Sequence, residues 1–344
     1  DARRVELDAL RRDARKAGAA ADIHDRIRVL TKVTARLDAD VAGFARLRPP
    51  PIEPEIGYAS STPVSDGRSV FALFGDGTLV SFALDGRRRW VRWLGDPPSD
   101  MRGHDHGSAA SPVLAGGLLA VPFRDLLGLS PETGREVWRG PAYRHFGTPA
   151  VAHLRDGDVI ATPGGEMVRA ADGRVLAEHI HSLFYIGPIA DGDTVYYLGS
   201  DGRDAGPDLT LPTAAFRLPS ASAAPQLLWR GRIPRAHYYA TPLLEGQSIH
   251  LVNERGELHL IDSRDGTARA AGPLETAGAA FASPVLASDR VYYGFEYTGV
   301  MLVYSRGPNP SRIARNELEP MMATPTFAGR RMFVRTTNSL YCIE

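Results

Sequence analysis

From about residue 57 to Glu344, short apolar runs alternate with turns carrying Gly or Asp, and the runs have the strand-like composition of pleated, half-buried surfaces. Seven of these runs, at 69–74, 118–123, 159–163, 194–198, 248–253, 290–295 and 331–335, are rich in Val, Tyr, Phe and Ile. Each is followed across a turn by a second run, at 78–84, 126–129, 167–170, 214–218, 257–261, 300–304 and 339–343. Pairs such as Asp66-Gly67, Asp76-Gly77, Asp85-Gly86, Asp156-Gly157, Asp172-Gly173 and Asp265-Gly266 supply the positive φ of tight hairpins. Residues 1–48 read differently. Ile23, Leu30, Leu37 and Phe44 recur every seven residues, with Ile27 and Val41 beside them, which predicts a helix of about 25 residues starting at Asp22. A shorter helix, about 2–16, is predicted before it and stops near Gly18.

One signal punctuates the strand-rich part: a small residue, then proline, then an apolar stretch. It occurs at Thr62-Pro63, Ser111-Pro112, Thr148-Pro149, Gly187-Pro188, Thr241-Pro242, Ser283-Pro284 and Thr324-Pro325, at spacings of 37 to 54 residues. Repeats of that size, each carrying up to four strands, predict an all-β chain folded as a seven-bladed β-propeller with an N-terminal α-helical extension. The expected division is 1–48 for the extension and 49–344 for the propeller. The last unit shows only three runs, so residues 49–57 are the candidate for a strand that closes the last blade; Pro49, Pro50, Pro51 and Pro54 restrict it to an outer edge. In the first two units a tryptophan stands four residues after a turn glycine, Gly86 to Trp90 and Gly134 to Trp138, where an indole can fill the widening wedge between blades.

The segments Ala83-Leu-Asp-Gly-Arg-Arg-Arg-Trp90 and Leu129-Ser-Pro-Glu-Thr-Gly-Arg-Glu-Val-Trp138 resemble the tryptophan-docking repeat of PQQ-like (quinoprotein dehydrogenase-like) β-propellers. The resemblance spans about 57–344; Ala177 and Ala270 take the tryptophan's place in later units, and Trp229 restores it in the fourth. The best-known members have eight blades, the alternative count for this chain. The family includes quinoprotein dehydrogenases, a lipoprotein that assists outer-membrane protein assembly and sensor domains, so the resemblance implies the fold and a periplasmic or otherwise extracytoplasmic location. It does not extend to quinone chemistry: the dehydrogenases stack PQQ on adjacent cysteines and use a calcium-bound aspartate, whereas Cys342 is the sole cysteine here and no aspartate can be matched. Neither PQQ nor another cofactor is expected.

Charge narrows the choice of partner. Forty Lys+Arg balance forty Asp+Glu, so the basic field of a nucleic-acid binder is missing. The first 48 residues carry +4 and the remainder −4. No apolar run reaches the roughly 18 residues of a membrane span, and no signal peptide is visible in the sequence as it begins at Asp1.

In a propeller, loops leading into the innermost strands crowd one end of the axial channel, so the windows just before each small-Pro signal are the place to look for chemistry. They hold Tyr58; Arg102, His104, Asp105 and His106; Arg144, His145 and Phe146; His179, His181, Phe184 and Tyr185; Arg235, His237, Tyr238 and Tyr239; Phe281; and Met321 and Met322, of which the candidates are Arg102, His104, Asp105, His106, Arg144, His145, His179, His181, Tyr185, Arg235, His237 and Tyr238. Six of the ten histidines fall in these windows; His24, His153, His250 and His259 look incidental. Such groups can bind a ligand or transfer protons, or simply hydrogen-bond channel backbone and trapped water. His104 and His106 are a weak metal pair, since a third ligand would have to come from another blade. The expected function is a non-catalytic scaffold for protein–protein interaction, PQQ-dependent dehydrogenation being disfavoured. Its helical stripe of Ile23, Ile27, Leu30, Leu37, Val41 and Phe44 would be a second docking or homo-oligomerising element. The rival is an enzyme or small-ligand receptor at the His/Arg/Tyr mouth.

Overall fold

The computed structural model describes residues 2–14, 21–43, 57–97, 109–199, 210–274 and 278–344. The chain forms two compact units, Asp1–Pro50 and Pro51–Glu344. In the first, helix α1 (Ala2–Ala14) packs on helix α2 (Ala21–Gly43). The α2 stripe is only partly covered: Ile23, Ile27 and Leu30 are half-buried and Leu37 is exposed. Arg26 donates to Glu6 Oε1 at 3.0 Å across the pair, and Asp22 lies in the first turn of α2, where a carboxylate favours the helix dipole. Val41 falls within α2, and Phe44 lies outside the described residues.

The second unit is a seven-bladed β-propeller. Its blades span 64–93, 113–142, 150–177, 189–234, 243–273, 285–317 and 326–343, each an antiparallel sheet whose strands neighbour one another in chain order. Six blades have four strands and the seventh has three among the described residues; residues 49–56 of the expected closing segment 49–57 lie outside them. First strands of adjacent blades approach one another, as in blades 1 and 2, 2 and 3, 3 and 4, and 5 and 6, so these strands surround the axis. The third strands, such as Val300–Ser305, are buried almost throughout because each lies between two other sheets, while outer strands such as Arg312–Glu317 are largely exposed.

The hydrophobic core is a series of layers between blades. Phe71, Leu73 and Leu79 of blade 1 meet Leu119, Val121 and Phe123 of blade 2. Tyr197, Phe216 and Trp229 of blade 4 join layers from blades 3 and 5. In each four-stranded blade the pairing of third and outer strands slips at a bulge, which adds twist and lets the outer strand flare. Trp90, Trp138, Ala177 and Trp229 directly follow the extra residue of that bulge, so Ala177 occupies the tryptophan's register, whereas Ala270 precedes the extra residue of its own strand and is out of that register. Each indole reaches the following blade: Nε1 of Trp90, Trp138 and Trp229 donates to the carbonyl of Pro131, Ala170 and Ser263 at 2.9, 2.8 and 2.9 Å. The rings lie over Gly134, Gly173 and Gly266, where the positive φ and the close indole both exclude a Cβ.

The small-Pro signal has a purpose that smallness alone does not reveal. The backbone N–H of Thr62 donates to Ser111 Oγ at 2.8 Å, and that of Ser111 to Thr148 Oγ1 at 3.0 Å. Across the molecule, Thr241 N–H donates to Ser283 Oγ at 3.1 Å and Ser283 N–H to Thr324 Oγ1 at 3.0 Å. Each hydroxyl therefore fastens one blade to the previous one by a side-chain acceptor. At Gly187 there is no hydroxyl, and backbones meet directly instead. A Cβ on Gly187 would lie 3.1 Å from the Thr148 carbonyl carbon and closer still to its oxygen, and a Cβ on Gly147 would overlap the Ile186 carbonyl.

Candidate functional site

Loops that connect one blade to the next share a face with the turns between second and third strands, and hydrogen bonds tie the two sets together. Tyr143 N–H donates to Arg124 O, Leu183 N–H to Pro163 O, Glu254 N–H to His237 O, and Glu296 N–H to Ala279 O, at 2.7 to 3.2 Å. On this face the residue two before each small-Pro signal is, in blade order, Ser60, Ala109, Phe146, Tyr185, Tyr239, Phe281 and Met322. All seven are half-buried, the environment expected of side chains that rim an axial opening.

Four of them form a continuous aromatic arc across blades 3 to 6. Phe146 and Tyr185 are parallel within 7° with centroids 5.9 Å apart, Tyr185 meets Tyr239 edge-on at 5.1 Å, and Tyr239 stacks on Phe281 at 4.4 Å and 3°. Phe184 braces the arc edge-on against both Phe146 and Tyr185. His237 stacks on Tyr239 at 5.8 Å from the exposed side. Met322 follows in blade 7, and the same position holds the small Ser60 and Ala109 in blades 1 and 2. Burial raises the Tyr239 pKa, with further contributions from Tyr185, Glu254, Tyr297 and Glu296. Glu254 Oε2 accepts the backbone N–H of His237 at 2.7 Å.

The residues picked out in the sequence separate into distinct environments. Tyr185 and His237 belong to the arc, and Arg144 and Arg235 are exposed on the loops beside it. Tyr238 is turned inward: its hydroxyl donates to Pro234 O at 2.9 Å, its ring packs on His259, and burial raises its pKa. His181 is buried, with Nε2 2.5 Å from Gly199 O and its ring against Tyr197. His145 and buried Glu166 flank Gly164, and His179 Nδ1, on a residue with φ of 51°, lies 3.5 Å from Glu166 Oε1. Thr162 Oγ1 also donates to Glu166. Arg102, His104, Asp105 and His106 lie outside the described residues. No cluster of three or more His, Cys, Asp or Glu among the described residues is placed to hold a metal ion.

Two histidines that looked incidental are built into the core. His250 is fully buried with Nδ1 2.6 Å from Tyr293 Oη, and burial pushes its pKa down to about 4; burial also lowers that of His259. The windows before the small-Pro signals held Phe146, Tyr185, Tyr239, Phe281 and Met322, but sequence reasoning gave its weight to the titratable groups and carried only Tyr185 of these into the candidate site.

Solved structures place this architecture in context. BamB from Moraxella catarrhalis superposes with a TM-score of 0.57 at 13% identity, over 79% of this chain and 80% of that one. The computationally designed Ika8 protein superposes with a TM-score of 0.57 at 13% identity over 83% of each chain. At such identities the likeness is one of fold. No curated protein matches the sequence. Cys342, the only cysteine in the sequence, is exposed on strand Leu340–Ile343. Residues 55–271 match the PQQ_2 family model, described as outer membrane protein assembly factor BamB, and the chain belongs to that family of PQQ-like β-propellers.

Proposed function

We propose that the protein is a non-catalytic scaffold of the cell envelope that holds a protein partner at the aromatic mouth of its propeller. The observation that carries this reading is the arc from Phe146 to Phe281. Four successive blades present an aromatic ring at the same repeat position, half-exposed and in mutual contact, on one face. Contiguous aromatic surface of this kind is the usual core of an interface, because each ring buries a large area with little loss of conformational freedom. The family's description names outer-membrane protein assembly, which supports both an extracytoplasmic location and a partner that is a protein. Helices α1 and α2 supply a second docking or self-association element through Leu30 and Leu37.

Site-specific photo-crosslinking in the protein's own host tests the reading. A photoreactive residue at position 281 should give a discrete protein adduct that disappears when Tyr185 becomes Ala. The same probe at Val137, exposed on an outer strand, should give none. Equal labelling from both positions would overturn the assignment. Loss of a dimer on Leu30→Ser with Leu37→Ser would assign the helices to self-association, and an unchanged oligomeric state would remove that role.

A further inference from the structure

We propose that the seam between blades 5 and 6 is an acid-released joint of the ring, closed on the face opposite the mouth by a polar clasp in which Arg269 stands where blades 1, 2 and 4 place an indole. The register carries the exchange. Eight residues after Pro63, Pro112, Pro188 and Pro242 stand Phe71, Ala120, Tyr196 and His250, which pair with Ser81, Gly128, Ala215 and Leu260 of the third strands. In blades 1, 2 and 4 the outer-strand partner of that third-strand residue is Trp90, Trp138 or Trp229, and in blade 5 it is Arg269. Its target is equivalent too. Each indole donates to a carbonyl in the turn between the third and outer strands of the following blade, and Arg269 donates into the same turn of blade 6, to Pro308 O and, at 3.1 Å, to Asn309 Oδ1. A Cβ on Gly307 of that turn would meet nothing within 4 Å, whereas one on Gly134, Gly173 or Gly266 would strike an indole.

The rest of the clasp is ionic. Glu245, buried at the end of the first strand of blade 5, accepts Arg306 Nε on Oε1 at 2.9 Å and the Gly307 N–H on Oε2 at 3.1 Å. Behind it His250 is wholly buried, with Nδ1 2.6 Å from Tyr293 Oη of blade 6 and Nε2 4.0 Å from Glu245 Oε2. The interior of the seam is apolar and Tyr239 on Phe281 closes its mouth end, so the clasp governs the far end. The groups facing the clasp are Arg306, Tyr293 and Tyr304 from blade 6 and His250, Arg269 and Asp262 from blade 5. Burial alone would raise the Glu245 pKa, but Arg306, the Gly307 N–H and His250 hold it below the ordinary value. Burial lowers that of His250 to about 4. The His250 contribution is therefore complete above about pH 6.5 and lost as pH falls toward 4, while that of Glu245 is lost below about pH 4.5. Burial raises both tyrosines, which stay neutral, and Asp262, held to about 2 by its bonds to Arg264, stays ionised. Acid thus neutralises the carboxylate that holds Arg306 and Gly307 and charges His250 behind it, and the clasp lets go.

Amide hydrogen–deuterium exchange of the full chain, read by mass spectrometry and corrected for intrinsic rates, tests the joint. Peptides covering the 305–311 turn of blade 6 should lose protection about tenfold between pH 7 and pH 4, while the 262–267 turn of blade 5, which receives Trp229, should change less than about threefold. Glu245→Gln should lower the protection of the 305–311 turn at pH 7 and remove most of its pH dependence. Arg269→Leu should lower it at both pH values, and neither variant should alter the 262–267 turn. Equal loss of protection in the two turns on acidification would mean that the ring loosens as a whole and would overturn the proposal. Unchanged protection of the 305–311 turn in acid, or in a folded Glu245→Gln variant, would overturn it as well, because the clasp would then not hold the seam. The wild-type comparison decides the matter by itself where a variant fails to fold.

Discussion

Replacing Gly187 by Ala adds a single methyl group at the seam between blades 3 and 4. Its Cβ would sit 3.1 Å from the Thr148 carbonyl carbon and 3.3 Å from the Thr148 nitrogen, and nearer than either to the carbonyl oxygen, where ordinary contact begins at 3.4 Å. The obstacle is backbone, so no rotamer change can relieve it. Thr148 is also tethered, because its hydroxyl accepts the Ser111 N–H at 3.0 Å. Overpacking a tight site costs about 1–3 kcal/mol, and loosening the tether adds about 1 kcal/mol. The alanine's smaller unfolded-state entropy returns about 0.4–1 kcal/mol. The expected net loss is about 2 kcal/mol, or a fall of about 4 °C in melting temperature for a unit of this size. The control is Gly278→Ala, whose Cβ meets its nearest atom, Thr298 Cγ2, at an ordinary 3.5 Å; it should be neutral or slightly stabilising. Urea and thermal unfolding followed by far-ultraviolet circular dichroism compare the two. Because the same seam carries the Phe146–Tyr185 stack, Gly187→Ala should also weaken binding at the mouth. If both alanine variants unfold within about 0.5 kcal/mol of one another, the reasoning about backbone contact at this seam is wrong.

Trp229→Ala removes a buried indole and its hydrogen bond to Ser263 O, so a loss of about 3–5 kcal/mol is expected in urea unfolding; a loss under 1 kcal/mol would show that the ring does not hold blades 4 and 5 together. Ser283→Ala takes the acceptor from Thr241 N–H and should cost about 1–3 kcal/mol, whereas Ser283→Thr should retain most of the stability, both read from the melting transition. His250 has a folded-state pKa of about 4, below its unfolded value of about 6.5, so the unfolded chain binds the extra proton first. Its stabilising contribution is therefore complete above about pH 6.5 and is lost as pH falls toward 4, by on the order of 3 kcal/mol. Urea midpoints at pH 7 and pH 4.5 should converge more in a His250→Gln variant than in the wild-type chain, and an equal pH dependence in both would exclude His250 as its source.

Much of the fold was legible because its physics is local and repeated. Apolar alternation, Asp-Gly turns and the seven small-Pro signals each report on a few neighbouring residues, and together they supply seven sheets in chain order. Trp90 and Trp138 could be read as wedges between blades for the same reason, and Trp229 was found at the same register in blade 4. The mouth was harder to see. Histidine and arginine attract attention by their chemistry, yet the structure buries His181 beside Gly199 and packs Tyr238 inward, while the contiguous surface is made by Phe146, Tyr185, Tyr239 and Phe281. A ring contact between residues 39 to 54 positions apart leaves no mark on either local pattern.

The amino-acid sequence by itself determined the repeat, the strands, the blade count and the separate helical pair, since periodicity and turn chemistry act over a handful of residues. Which side chains of different repeats touch was decided only when the blades packed side by side. That packing made Ser111, Thr148, Ser283 and Thr324 acceptors for their neighbours, required glycine at 147 and 187, and brought Glu254 and His237 together beside Tyr239. These contacts depend on distances across the seams, and such distances are set by the tertiary arrangement of whole sheets rather than by any local run of residues.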